Sequence, residues 1–289
     1  MSNEQTALRT TYFSIIGNTS LALIKGFAGF FGNSYALIAD AIESITDIFS
    51  SLLVLFGLKY AKRPADKNHP YGHGRIEPLI TFMVVAFLVT SATIIAYESI
   101  QIIQTPHKTP KSWTLIVLGC IVLWKEISFR IVISKSKETN SSSLKADAWH
   151  HRSDAITSIM AFIGISIAII FGEGYEAADD WAALLASFFI LYNSYLIFRP
   201  ALGEIMDEHL YDDLIIEIRN KSIEVEGVLG TEKCFVRKAG MKYHVDLHAR
   251  VNGEISVTEG HDIAHHLKDY LKKVIPNLGQ ILIHIEPNE

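Results

Sequence analysis

Six apolar stretches fill the first two-thirds of this chain, running over residues 11–32, 34–61, 76–102, 112–133, 144–172 and 181–200. Each approaches or exceeds the ~20 residues an α-helix needs to cross ~30 Å of hydrocarbon. The hydrophobic fraction of 49% is concentrated here, so the excess points to membrane spans and not merely to a large core. The third, fifth and sixth stretches hold long uncharged runs. The fourth carries Lys125, Glu126 and Arg130, so its inner end must snorkel or face protein. No small-residue cleavage site follows the first apolar run, which is therefore expected to stay as an anchor.

Orientation follows from lysine and arginine. The linker after the second span holds Lys62, Arg63, Lys67 and Arg75, and the linker after the fourth holds Lys135 and Lys137. The opposite side has a Gly32-Asn33 turn, a short stretch over 105–111 with two lysines, and an acidic loop over 173–180. The positive-inside rule then places both termini in the cytoplasm. The expected setting is an integral protein of a bacterial cytoplasmic (inner) membrane.

Beyond Pro200 the chain becomes charged. Residues 1–206 form one expected domain, six membrane helices, and residues 207–289 a second, cytoplasmic one. In the latter, 210–223 suggests a helix, and 228–237 and 243–251 read as strands about the turn Lys238-Ala239-Gly240. Tyr243, Val245, Leu247, Ala249 and Val251 alternate with polar residues, the period of a half-buried sheet. Ser256-Val257-Thr258-Glu259 is a capping box opening a helix, and Ile281, Ile283 and Ile285 mark a last strand. The order α-β-β-α-β gives a small α+β sandwich.

The second and fifth spans share a motif. Ala39-Asp40-Ala41-Ile42-Glu43-Ser44-Ile45-Thr46-Asp47 returns as Ala146-Asp147-Ala148-Trp149-His150-His151-Arg152-Ser153-Asp154. Residues three or four apart share a helix face, so Asp40, Glu43 and Asp47 line one side of the second span, and Asp147, His150 and Asp154 one side of the fifth. One acidic side chain at a helix centre costs about 2.5–3.5 kcal/mol, so the set requires protons, a cationic side chain or a bound cation among them. Glu43, Asp47, His150 and Asp154 offer one imidazole and three carboxylates, a four-coordinate set for Zn²⁺ that also suits harder Mn²⁺ or Fe²⁺. All four bind protons too, so metal and protons compete. The plainer alternative is interhelical glue, or acids holding a lysine such as Lys25. Asp40 and Asp147 are candidates to cap or orient rather than to ligate. With six spans, the two copies run antiparallel in equivalent three-helix halves, as in inverted-repeat transporters.

Here the chain resembles the cation diffusion facilitators, membrane exporters of divalent transition metals. The matching residues are 34–40 leading to Glu43 and Asp47; Arg63-Pro64-Ala65-Asp66-Lys67-Asn68-His69-Pro70-Tyr71-Gly72-His73-Gly74; Ala146-Asp147 leading to His150 and Asp154; Val245-Asp246-Leu247-His248; and Ile283-His284-Ile285-Glu286-Pro287. The resemblance implies six spans, a metallochaperone-like cytoplasmic domain, a homodimer and metal–proton exchange. It also implies a second metal in the loop at Asp66, His69 and His73, and metal-binding positions at His248, His261, His284 and Glu286. Glu232 is an accessory candidate there, while His265 and His266 have no matching role. His248, His284 and Glu286 are expected on the strand side opposite the isoleucines, converging between protomers. Arg75 and Asp207 are a candidate charge pair tying the loop to the cytoplasmic domain. One departure stands out: where the family commonly has His or Asp, this chain has Glu43.

The expected function is export of a divalent transition metal, Zn²⁺ favoured and Fe²⁺, Mn²⁺ or Co²⁺ allowed, in exchange for protons. Two alternatives are an intramembrane metallohydrolase and a membrane-bound metal sensor. Against the first, four ligands leave no open position, and no nucleophile elbow, phosphate loop or HExxH motif occurs, so the chain is not expected to be an enzyme. A net charge of -5 gives no basic face for nucleic acid. Cys120 and Cys234 make no disulfide framework and are read as small apolar residues.

Overall fold

The computed structural model describes residues 3–31, 35–103, 113–172, 174–175 and 177–288, with the side chains of 28–43 outside that description. Six long helices come first: α1 (Asn3–Phe31), α2 (Tyr35–Ala61), α3 (Ile76–Ile103), α4 (Thr114–Thr139), α5 (Ser142–Phe171) and α6 (Ala178–Ile205). At ~1.5 Å per residue each is about 40 Å long, more than enough to span a bilayer. Among the described residues, Ile76–Gln101, Ser142–Phe171 and Asp180–Ile205 are also apolar enough to be membrane spans by composition alone.

Burial in this unit is inverted relative to a water-soluble protein. Asn18, Asp47, Ser51, Lys125, Asp147 and His150 are buried, while Ile16, Phe27, Phe56, Ile116, Leu123 and Phe188 face outward. In lipid no hydrophobic force drives helices together, so the interior collects polar and small residues instead. Small residues bring the backbones close: a Cβ on Gly57 of α2 would meet Ile80 Cγ1 of α3 at 2.6 Å, and one on Gly17 of α1 would meet the Trp124 ring of α4 at 3.1 Å. Helices α1, α2, α4 and α5 pack on one another, and α3 lies against α2 and α5. Phe82 of α3 stacks near Phe198 of α6, with ring centroids 5.2 Å apart. Glu77, fully buried in the first turn of α3, accepts hydrogen bonds from Ser141 and Ser143 at the start of α5. Those two helix starts are thereby held together.

The chain divides into two compact units, 1–201 and 202–289. In the second, α7 (Asp212–Ser222) is followed by β1 (Gly230–Ala239), β2 (Lys242–Val251), α8 (Val257–Val274) and β3 (Leu278–Pro287). The sheet order is β1-β2-β3, with β1 antiparallel and β3 parallel to β2. The alternation along β2 has its expected consequence: Val245, Leu247, Ala249 and Val251 are buried, and the first three join Ile218, Leu267 and Leu271 of the two helices in an apolar core. Ser256 caps α8 in a full capping box with Glu259. The first hairpin differs from expectation. Strand β1 runs on through Lys238 and Ala239, and the turn is Gly240-Met241, with Gly240 at φ +65°. Lys238 is not a turn residue but a buried strand residue, 2.9 Å from Glu204 Oε1.

Candidate metal centre

Asp47 of α2 and His150 and Asp154 of α5 converge in the interior of the helical unit, with one donor atom from each within 4.8 Å of the others. The i, i+4 spacing of His150 and Asp154 sets both on one face of α5. His150 Nε2 lies 2.8 Å from Asp47 Oδ1. His150 Nδ1 is buried without a hydrogen-bond partner. The side chains of Asp40 and Glu43 lie outside the described residues; their backbones belong to α2.

A fourth group enters from α4. Lys125 Nζ donates to Asp47 Oδ2 at 2.8 Å and to Asp154 Oδ2 at 2.7 Å, and lies 3.4 Å from Asn18 Oδ1 of α1. The lysine on these acids is thus Lys125; the described hydrogen bond of Lys25 goes to Ser44 Oγ at 2.9 Å. The neighbouring Glu126 has cations of its own, Arg130 at 2.8 Å and Arg152 at 3.1 Å. Lys125 is therefore directed at the centre while the charges beside it are matched elsewhere.

Asp147 turns away from this cluster. Its carboxylate accepts from Ser14 Oγ at 2.8 Å and Ser51 Oγ at 3.1 Å, joining α5 to α1 and α2. Asn18 Nδ2 donates to Ser51 Oγ at 3.3 Å, so Lys125, Asn18, Ser51 and Asp147 form one polar chain. His151, buried beside them, has Nε2 at 3.2 Å from Ser14 Oγ. No signal along the chain singles out Asn18 or His151. Lys125 carried a signal, a lysine inside an apolar helix, but not the identity of its partner.

The loop between α2 and α3 gathers Asp66, His69 and His73. Asp66 Oδ1 accepts from the backbone N–H groups of His69 at 2.7 Å and Asn68 at 2.9 Å, which hold its carboxyl below the ordinary carboxylate range. His69 Nδ1 lies 3.3 Å and His73 Nε2 3.4 Å from the same carboxylate. Gly72 makes the turn with φ +84° and donates its N–H to the His69 carbonyl. His73 is buried, with Tyr60 edge-on against its ring.

In the second unit His248, His284 and Glu286 form a third cluster. Sheet register builds it: His248 pairs with His284 across β2 and β3, and Glu286 lies two residues further along the same face. Glu286 Oε1 lies 2.6 Å from His248 Nδ1 and 3.8 Å from His284 Nε2. Hydrogen bonding with His248 first, then Glu232, holds the Glu286 carboxyl below its ordinary range. The cluster itself is His248, His284 and Glu286, and Glu232 Oε2 lies 3.6 Å from Arg250. His261 is not part of it. It sits on α8, lining a cleft with Val251, Ile283 and Ile285, on the opposite side of the sheet, and its ring neighbour is His265 at 4.5 Å. Cys234 is a core residue whose thiol burial pushes up to about 11, while Cys120 is exposed on α4.

Two family descriptions match almost the whole chain: cation efflux transmembrane domain over residues 11–206, and cation efflux protein, cytoplasmic domain, over residues 210–288. The chain belongs to the cation diffusion facilitator family of metal transporters. The manganese efflux system protein MneP of Bacillus subtilis is 28% identical over 288 residues, covering 98% of this chain and 97% of its own. Metal tolerance protein 2 of Oryza sativa subsp. japonica is 30% identical, covering 92% of this chain and 74% of its own. Magnetosome protein MamB of Magnetospira is 28% identical, covering 96% and 92%. The protein is thus an integral membrane metal transporter and not an enzyme.

Proposed function

We propose that this protein is a secondary transporter that exports a divalent transition metal from the cytoplasm in exchange for protons, through a site built from Asp47, His150 and Asp154 with Glu43 as fourth ligand. The observation that carries this reading is the convergence of one imidazole and two carboxylates from α2 and α5 at a point buried among lipid-facing helices. Carboxylates and imidazole take up metal only when deprotonated, so a site of this composition exchanges one for the other.

The domain division is 1–206 for transport and 207–289 for the cytoplasmic unit, with both termini in the cytoplasm of a bacterial inner membrane. The basic linkers after the second and fourth spans support that orientation. A homodimer fits the cytoplasmic sheet, whose cluster-bearing face exposes Phe235 and Leu282 at 57% and 67%. Accessory metal sites at Asp66, His69 and His73 and at His248, His284 and Glu286 are part of the proposal. Zn²⁺ is the cargo the four-donor set suits first. A second reading is Mn²⁺, favoured by the oxygen-rich donors that Glu43 completes and by the manganese efflux described for the Bacillus relative.

Metal uptake into inverted vesicles under a pH gradient tests the reading. Uptake should require the gradient and be lost in Asp47→Ala and Asp154→Ala. Competition between Zn²⁺ and Mn²⁺ in the same vesicles ranks the cargo. Unaltered uptake in both variants would overturn the site.

A further inference from the structure

From the position of Lys125 we infer that this chain carries its own tethered counter-cation: the lysine occupies the transport site between cargoes and competes with metal for Asp47 and Asp154. This rests on the transport reading of that site. The side chain is only 1% exposed, and its ammonium bridges the two carboxylates at 2.8 and 2.7 Å. Those oxygens are donors a metal ion would use, and an ammonium and a divalent cation cannot hold them together without strong repulsion. Metal entry therefore displaces Lys125. A receiving partner is in place: Asn18 Oδ1 lies 3.4 Å from Nζ and leads through Ser51 to Asp147.

The arrangement answers an energetic problem specific to a transporter. Two acids left in an apolar interior after cargo release need a positive partner before the site can return. A tethered amine supplies one at fixed effective concentration, lowering metal affinity while easing the empty site's reset. Lys125 is thus a specificity and positioning residue rather than a ligand.

The test is Mn²⁺ binding and Mn²⁺ uptake by the full chain in lipid nanodiscs and vesicles, in a background of Asp66→Ala and His248→Ala that leaves the membrane site to titrate. Lys125→Met should tighten the Mn²⁺ Kd by about tenfold or more, equivalent to about 1.4 kcal/mol. In uptake, KM and kcat should fall together, whereas a merely structural loss lowers kcat with KM unchanged or raised. Lys125→Arg, which keeps the charge, should stay close to the unaltered Kd. If Lys125→Met is not recovered folded, the unaltered protein decides: saturating Mn²⁺ should speed acylation of Lys125 by a small membrane-permeant amine reagent. Unchanged or weaker Mn²⁺ binding in a folded Lys125→Met protein, or acylation indifferent to Mn²⁺, overturns the inference. Binding that also ignores Asp47→Ala strikes the transport reading itself, so the two failures are told apart.

Discussion

The cluster in the helical unit and the cluster on the cytoplasmic sheet use the same chemistry, imidazole with carboxylate, in opposite surroundings. Asp47 and His150 are buried, and a lysine is held against the acids. His248, His284 and Glu286 stand on a sheet face at the surface, and among the described contacts the charge partners of Glu286 are the two histidines themselves. The difference follows from dielectric. A carboxylate at the surface is stabilised by water, whereas one inside an apolar bundle must be neutralised by something the protein provides. Under the proposed reading, the buried site exchanges one cation for another, whereas the surface site fills and empties with the metal level around it.

The sharpest way to break that contrast is to remove a carboxylate from each. Asp47→Ala or Asp154→Ala should reduce uptake by about 100-fold or more, beyond the roughly 10–100-fold typical of losing a group that only supports a metal ligand. Glu286→Ala or His248→Ala should weaken a separate class of metal sites by about tenfold in direct binding while uptake at saturating metal persists. If Glu286→Ala abolishes uptake as fully as Asp47→Ala, the surface cluster is no accessory. Asp66→Ala should fall between the sheet variants and no effect, because the loop carboxylate is held by two backbone N–H groups yet stays exposed. Metal-binding stoichiometry by calorimetry measures it.

Smaller effects should stay within one unit. Ser256→Ala removes a capping-box partner of α8 and should cost the cytoplasmic unit about 1 kcal/mol, read by denaturant unfolding, with uptake kinetics unmoved. Glu259 in that box has its carboxyl held below the ordinary value by the Ser256 backbone N–H and then its hydroxyl. A depressed folded value means its stabilisation is present above the ordinary glutamate range and is lost as pH falls through the folded value. Glu259→Gln should flatten the acid side of the cytoplasmic unit's melting profile.

Much of this was legible from sequence because it rests on periodicity and on energetic anomaly. Span lengths, the alternation in β2 and the Ser256–Glu259 box each translate directly into local geometry. Asp47, His150 and Asp154 announced themselves as ionisable groups where lipid disfavours them. Tertiary neighbours are another matter. Nothing along α4 says that Lys125 faces α2 and α5 while Glu126 takes Arg130 and Arg152. Asp147 shares a helix face with His150 yet bonds to Ser14 and Ser51, because α1 and α2 each supply a serine hydroxyl. His261 fits a family position but lies across the sheet from His248, since α8 covers the apolar face.

Anomalous X-ray scattering from Mn²⁺ in crystals of the full chain is the most direct test. A peak is expected among Asp47, His150 and Asp154, with Lys125 Nζ withdrawn from both carboxylates. Peaks confined to the loop and sheet clusters, with Lys125 still bridging Asp47 and Asp154 at saturating metal, would contradict it.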